Sequence, residues 1–79
     1  MIIDVCLYAS LASKLPEKTG RNSCPMEFPE DASVKDVLDK LNITEDEPKI
    51  IFLNGIHAKP DDRLKEGDRI AVFPPIAGG

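Results

Sequence analysis

The chain has 79 residues, of which 42% are hydrophobic and 30% are charged, and its net charge at pH 7 is −4. A chain of this length buries only about 60–65% of the surface that its unfolded form exposes, so we predict one small domain with little room for an enclosed active site. The acidic balance argues against nucleic acid as a partner, and the lack of an apolar stretch of roughly 20 residues argues against a membrane helix.

In chain order, the N-terminal residues lack the basic segment and apolar run of a signal peptide, so the cytoplasm is the expected compartment. Residues 2–8 form the first predicted strand, because β-branched and apolar side chains dominate there. Ser10 is the expected N-cap of a short helix, which must end before Pro16. Residues 24–28 form the second predicted strand, and Pro25, which has no N–H to donate, indicates a short or edge strand.

The main predicted helix covers Val34 to Leu41, where apolar residues follow the i, i+3, i+4, i+7 pattern of one helix face. Ser33 stands at the N-cap position and Asp36 follows three residues later, which forms a capping box with Asp in place of the usual Glu. The apolar face predicts that this helix packs across a sheet as part of the core.

The last predicted elements are a β-hairpin over residues 49–58 and a strand over residues 69–73. Asn54-Gly55 lies at the hairpin tip and favours a type I′ turn, in which both central residues have positive φ. Gly67 supplies a left-handed residue in the turn before the last strand. This order of elements predicts an α+β fold of the β-grasp, or ubiquitin-like, type. Its mixed sheet has four to five strands, with one main helix across one face and a short helix after the first strand.

Alternation along the strands predicts which side chains face the helix and which face away from it. The inward set is Ile3, Val5, Leu7, Ile51, Leu53, Ile56, Ile70 and Val72. Four ring side chains fall on the face that the helix leaves uncovered, namely Tyr8, Phe52, His57 and Phe73. Loops could cover this face, but clustered exposed aromatics are typical of contact sites, so we predict that these four residues bind a protein partner.

The two cysteines are predicted to lie on opposite faces of the sheet, which is incompatible with a disulfide. Cys24 alternates with the apolar Met26 and Phe28 and is expected in the core, whereas Cys6 is expected on the outer face without a role, with a reactive thiol as the alternative. The chain has no second histidine besides His57, no Cys-x-x-Cys pair and no glycine-rich phosphate loop. We therefore predict neither a metal site nor a bound cofactor.

The sequence finishes on a tail that consists of Pro74, Pro75, Ile76, Ala77, Gly78 and Gly79. The two prolines cannot continue a strand ladder, so they impose an extended exit from the sheet. Six residues reach about 20 Å, and glycines without side chains fit a narrow channel. We predict a β-grasp domain over residues 1–75 and a flexible tail over residues 76–79 that presents the Gly79 carboxylate.

The stretches LYASLASKLP, FPEDASVKDVLDKL and LNGIHAKPDDRLKEGDRIAVFPPIAGG resemble sulfur-carrier proteins of the MoaD/ThiS type, and the resemblance covers nearly the whole chain. The double proline is most similar to the small subunits of molybdopterin synthase, since carriers of the thiamin branch share the glycines but generally lack the prolines. Tyr8 and Phe73 match positions of the docking surface of this family. His57 departs from the pattern, because some relatives have an apolar residue at its position.

The resemblance implies a chemistry for the tail. An E1-like activating enzyme would use ATP to join the Gly79 carboxylate to AMP, and a persulfide sulfur from a sulfurtransferase or cysteine desulfurase would then replace AMP. The large subunit of molybdopterin synthase would take the resulting thiocarboxylate into its active site and transfer the sulfur to the pterin precursor that binds molybdenum or tungsten. Gly78 and Ala77 would line the channel with little bulk. The carrier itself would contribute positioning rather than an acid, a base or a metal ligand.

Three alternative functions stay open from the sequence. The same tail chemistry would serve thiamin synthesis or another thiolation pathway. A ubiquitin-like modifier would start from the same adenylate and join Gly79 to a lysine of a target protein. A plain binding module would leave the terminus unreacted.

Overall fold

A computed structural model describes residues 1–16, 22–44, 46–47 and 49–75 of the chain. Its elements are, in chain order, strand β1 (Ile2–Leu7), a 3-10 helix (Ala9–Lys14), strand β2 (Ser23–Glu27), helix α1 (Val34–Lys40), strand β3 (Ile50–Leu53), strand β4 (Ile56–His57) and strand β5 (Arg69–Phe73). The predicted strands and the main helix are confirmed to within one residue at their ends. None of the helices in the described ranges has the length and apolar character that crossing a membrane requires.

The five strands form one mixed sheet in the order β2-β1-β5-β3-β4. Strands β1 and β5 lie parallel to each other, and every other neighbouring pair is antiparallel. Helix α1 lies in the connection between β2 and β3 and covers one face of the sheet. The predicted α+β architecture with β-grasp topology is therefore confirmed, and Pro25 lies on an edge strand as expected.

The core lies between α1 and the inner face of the sheet. From the helix it takes Val34, Val37 and Leu38, which are 0–2% exposed. From the strands it takes alternate residues, namely Ile3, Val5, Leu7, Cys24, Met26, Ile51, Ile70 and Val72. Full burial of one such aliphatic side chain contributes about 1.5–3 kcal/mol before conformational entropy is subtracted, so this layer holds the fold together.

Helix α1 begins with the predicted capping box. The backbone N–H of Ser33 donates to Asp36 Oδ2 at 2.8 Å, which satisfies a donor that the helix itself leaves unpaired. We expect Asp36→Ala to lower the free energy of unfolding by about 1 kcal/mol in urea denaturation. Asp39→Ala removes a carboxylate from an exposed position in the same helix and is the matched control, with a smaller expected loss. Equal losses in the two variants would contradict the capping role.

The hairpin and the following turn adopt the predicted backbone geometry. Asn54 and Gly55 have φ angles of 53° and 82°, as a type I′ turn requires, and Gly67 has a φ of 83°. These left-handed residues fix the register in which β3 pairs with β4 and the point at which β5 begins.

The short helix differs from the prediction. It is a 3-10 helix with Tyr8, rather than Ser10, in the N-cap position. Ala9 has a left-handed φ of 53°, so the chain turns sharply directly after Tyr8. Leu11 and Leu15 are buried in the core, and their burial explains why this segment stays close to the sheet despite its weak capping.

The predicted inward orientation of Ile56 is confirmed, but the residue is not buried. It pairs with Leu53 across the hairpin and shares the helix side of the sheet with it, but it is 73% exposed. The reason is that β4 is the outermost strand, and the core cluster under α1 does not extend to it. Leu53, which is one strand closer to the centre, is half-buried.

Candidate functional site

The outer face of the sheet carries four ring side chains in one continuous series, which we call the aromatic row: Tyr8, Phe73, Phe52 and His57. The rings of Tyr8 and Phe73 are stacked, with centroids 4.4 Å apart and planes 4° apart. Phe52 meets Phe73 edge to face at 5.9 Å, and His57 meets Phe52 edge to face at 5.7 Å. The structure thus brings together all four residues that strand alternation assigns to this face.

Strand register explains how the row forms. Phe52 lies opposite Ala71 of β5 on one side and opposite His57 of β4 on the other. Phe73 follows Ala71 by two residues and therefore points to the same face. Tyr8 follows the last residue of β1, and its backbone N–H donates to a β5 carbonyl at 3.2 Å, which holds its ring beside Phe73.

The row is a fixed surface that is partly open to solvent. Tyr8, Phe52 and Phe73 are half-buried and His57 is exposed. Aromatic pairs of this geometry contribute about 0.5–1.5 kcal/mol beyond their buried area, so the rings hold one another in place. No helix or strand of the described residues packs on this face. An ordered, accessible aromatic surface of this kind is suited to binding a protein, although the binding role of the four residues stays a prediction.

The aromatic row reaches the C-terminal end of β5, where the tail sequence begins. Phe73 is the last residue of β5, and it is followed directly by Pro74, which is half-buried, and Pro75, which is exposed. The predictions for the rest of the tail lie outside the described residues, and they concern Ile76, Ala77, Gly78 and Gly79. The predicted domain boundary after residue 75 likewise stays a prediction.

The outer face becomes polar beside the row, around Arg69 at the start of β5. Arg69 Nε donates to Cys6 Sγ at 3.1 Å and lies 3.5 Å from Asp4 Oδ2. The hydrogen bond and the electrostatic interaction with Cys6, and then the negative charge of Asp4, raise the pKa of Arg69 above its ordinary value. A guanidinium is always protonated in proteins, so Arg69 places a positive charge beside the aromatic row.

The prediction that Cys6 has no role on the outer face is wrong. Cys6 lies on the outer face as predicted, but it is 0% exposed and makes a hydrogen bond, so it is not an uninvolved surface thiol. Its neighbour across the strands is Ala71, whose small side chain leaves room for Arg69 to lie over the sulfur. Cys24 is buried in the core as expected, and the two cysteines form no disulfide with each other.

Sequence reasoning missed Arg69 altogether. Asp4 and Arg69 lie opposite each other only because β1 and β5 pair in parallel in this register. The available signal for this ion pair was the presence of opposite charges at outer-facing positions of the two strands. The register that places these positions side by side depends on contacts between distant parts of the chain, so the sequence alone does not give it.

The described residues offer little for a metal or a cofactor. Among them, no group of three or more His, Cys, Asp or Glu side chains is arranged to hold a metal ion. His57 has an aromatic ring, Phe52, as its neighbour in the row. The expectation that no metal or cofactor binds stays a prediction, and the geometry that is present favours contact with another protein.

Comparisons with known proteins agree with this description. The family model described as "ThiS family" matches residues 10–79. A search of curated proteins finds no match. Among solved structures, the chain is similar to SAMP1 from Haloferax volcanii, with 26% identity over 100% of both chains and a TM-score of 0.77.

Two further solved structures connect the fold with molybdopterin proteins. A putative molybdopterin converting factor, subunit 1, from Pyrococcus furiosus is 26% identical over 95% of this chain and 98% of its own, with a TM-score of 0.72. The protein–protein complex of subunits 1 and 2 of the molybdopterin-converting factor from Helicobacter pylori 26695 matches with 22% identity over 100% of both chains and a TM-score of 0.64. At that identity, the second likeness concerns the fold alone.

Proposed function

The chain belongs to the ThiS family of ubiquitin-like proteins, as its resemblance to MoaD- and ThiS-type sulfur carriers predicts, and we propose that it is a sulfur carrier for molybdopterin biosynthesis. In this proposal, Gly79 is the reacting end and the aromatic row is the surface on which partner proteins dock. The observation that carries the proposal is the position of the row, because one of its members, Phe73, is the last residue of β5 and directly precedes the tail. The proposed site of action is the cytoplasm.

The proposed chemistry starts from the Gly79 carboxylate, which is a poor electrophile until it is activated. On an E1-like enzyme, the carboxylate attacks the α-phosphorus of ATP, which gives an acyl adenylate and releases pyrophosphate. A persulfide sulfur from a sulfurtransferase or cysteine desulfurase then adds to the acyl carbon, and AMP leaves. A thiol cleaves the resulting sulfur–sulfur bond, which releases the thiocarboxylate and leaves a disulfide on the donor side.

The folded domain contributes position to this chemistry. When the aromatic row is seated on a partner, the tail carries the reacting atom into the partner's active site, and the transfer becomes effectively intramolecular. Pro74 and Pro75 have no N–H to donate and a fixed φ, so they keep the start of the tail extended and out of the sheet. The proposed partners are the activating enzyme and the large subunit of molybdopterin synthase, and the similarity to the putative molybdopterin converting factor subunit 1 from Pyrococcus furiosus supports the second of these.

Two features favour molybdopterin over thiamin as the product. The double proline before Ile76 is typical of the molybdopterin branch, and the Pyrococcus furiosus relative is described as a putative molybdopterin converting factor subunit. A second candidate function is protein modification, because SAMP1 from Haloferax volcanii is equally similar in identity over the full length of both chains. Both functions begin with the same adenylate.

The deciding experiment charges the full chain with the activating enzyme of its own organism, ATP and a persulfide donor. A carrier gains the mass difference between one sulfur and one oxygen, measured on the intact protein. Addition of the large subunit and the pterin precursor then returns the original mass. A modifier instead forms lysine-linked conjugates in cell extract, and a chain that forms no adduct in either assay would contradict both functions.

A further inference from the structure

We propose that Arg69 determines partner specificity by binding an Asp or Glu side chain of the protein that docks on the aromatic row. This inference rests on the proposed function, because it assigns the chemistry of the partner surface that meets the row.

The site is a shallow groove lined by Phe52, Gly55, Arg69, Ala71 and Phe73. The rings of Phe52 and Phe73 form one end of the groove, and Arg69 forms the other. Along β5, Ala71 lies between Phe73 and Arg69, and its small side chain leaves space that Gly55, which has no side chain, does not fill. The groove is therefore apolar at one end and cationic at the other, which fits an apolar side chain with a carboxylate near it.

The guanidinium of Arg69 keeps most of its donors available. Both of its side-chain contacts involve Nε, which donates to Cys6 and lies beside Asp4. Within the described ranges, neither of its two Nη groups donates a hydrogen bond. These groups carry four N–H donors, and the planar guanidinium matches the geometry of a carboxylate. The Arg69 side chain is 60% exposed, so a partner can reach it.

Arg69 is also held in place before any partner arrives. Its backbone N–H donates to Asn54 Oδ1 at 2.9 Å, and the Asn54 backbone N–H donates to the Arg69 carbonyl at 2.8 Å. The bond from Nε to Cys6 then holds the guanidinium against the sheet. A side chain that is already ordered loses less entropy when it binds, which favours recognition at this position.

The pair with Asp4 does not block the site. Asp4 is 43% exposed, and its contact with Arg69 is long at 3.5 Å. Exposed ion pairs of this kind contribute about 0–1 kcal/mol, so a second carboxylate can join or replace Asp4 at little cost. Within a docked and water-excluded interface, the contact with the partner's carboxylate becomes the stronger one.

Charge complementarity supports a carboxylate as the occupant. Arg69 is the only Lys or Arg in the five described strands, in a chain whose net charge is −4. A partner that carries a carboxylate is therefore repelled in most orientations and accepted only where that carboxylate meets Arg69.

The strand geometry also sets the spacing of the two groups that the partner must present. Successive outer-facing residues of β5 are about 6–7 Å apart, so the partner's carboxylate at Arg69 should lie about that far from its apolar side chain over Ala71.

The test measures binding of the full chain to its activating enzyme and to the synthase large subunit by calorimetry. We expect Arg69→Gln to weaken binding to at least one of them by about tenfold or more, and to reduce the salt dependence of that binding. Arg69→Lys keeps the charge without the planar fork and should restore part of the affinity. A purely structural role in covering Cys6 would not produce this charge-dependent recovery.

A second measurement identifies the carboxylate directly. Carbodiimide joins an amine to a carboxylate that it touches, so the Arg69→Lys, Asp4→Asn double variant should cross-link to an Asp or Glu of the partner, located by mass spectrometry. The Asp4→Asn change removes the competing acid within the chain.

The outcomes separate this inference from the proposed function. If Arg69→Gln binds both partners like the unaltered chain while Phe73→Asp loses binding, the role of Arg69 is overturned and the docking surface stands. If neither variant changes the affinity, the aromatic row is not the docking surface, and both proposals lose their basis. Thermal unfolding of each variant confirms that the proteins compared are folded.

Discussion

Deletion of Gly79 is expected to abolish formation of the thiocarboxylate while leaving the melting temperature close to that of the full chain. The remaining Gly78 carboxylate would end about 3.5 Å short of the reacting position. A misplacement of only about 1 Å can reduce a positioned reaction by a factor on the order of a hundred. Stability should be retained because Val72 is the last residue of the described core. Intact mass after charging, together with thermal unfolding, measures both effects.

One alanine added after Gly79 provides the complementary test. It keeps every native residue but moves the carboxylate outward by one residue, so charging should again fail. An extended protein that still accepted and transferred sulfur would show that the position of the terminal carboxylate is not what the partner recognises. A large fall in the melting temperature after deletion of Gly79 would instead show that the tail packs on its own domain.

Phe73→Asp is expected to weaken binding to the partner by about 2–4 kcal/mol, the range typical of an interface hot spot. Phe73 contacts both Tyr8 and Phe52, so it occupies the middle of the aromatic row. Aspartate removes both ring contacts and places a charge where a partner's apolar surface would have to desolvate it. Calorimetric titration of the variant with the large subunit measures the loss.

Ile56→Asp is the matched control for Phe73→Asp. Ile56 is also an apolar strand residue, but it is 73% exposed and shares the helix side of the sheet with its partner Leu53, away from the row. The same change in charge at this position should leave binding nearly unaltered. Equal losses in the two variants would indicate a general effect of negative charge, and normal binding by a folded Phe73→Asp variant would exclude the row as the docking surface.

The sequence predicts much of this fold because its strongest signals are local. The apolar repeat in α1, the Asn54-Gly55 turn and the period of two in β1 and β5 each depend on a few neighbouring residues. The same alternation was sufficient to assign Tyr8 and Phe73 to one face. Their stacking could then be anticipated in outline, although its distance and angle could not.

The features that the sequence did not predict depend on distant contacts. The exposure of Ile56 follows from the position of β4 at the sheet edge, which no local pattern reveals. The burial of Cys6 under Arg69 depends on the parallel register of β1 and β5. The left-handed conformation of Ala9, which replaced the expected cap at Ser10, is accompanied by burial of Leu11 against the core.

Because the first strand, β1, pairs with the last strand, β5, the aromatic row can form only late in translation. Tyr8 comes from the first strand and Phe73 from the last, so the stacked pair cannot exist until nearly all of the chain has left the ribosome. Pairing of distant segments also slows folding, because the long intervening loop must be closed first. A nascent chain without β5 therefore lacks the stacked pair, and under the proposed function it offers no complete docking surface to an activating enzyme.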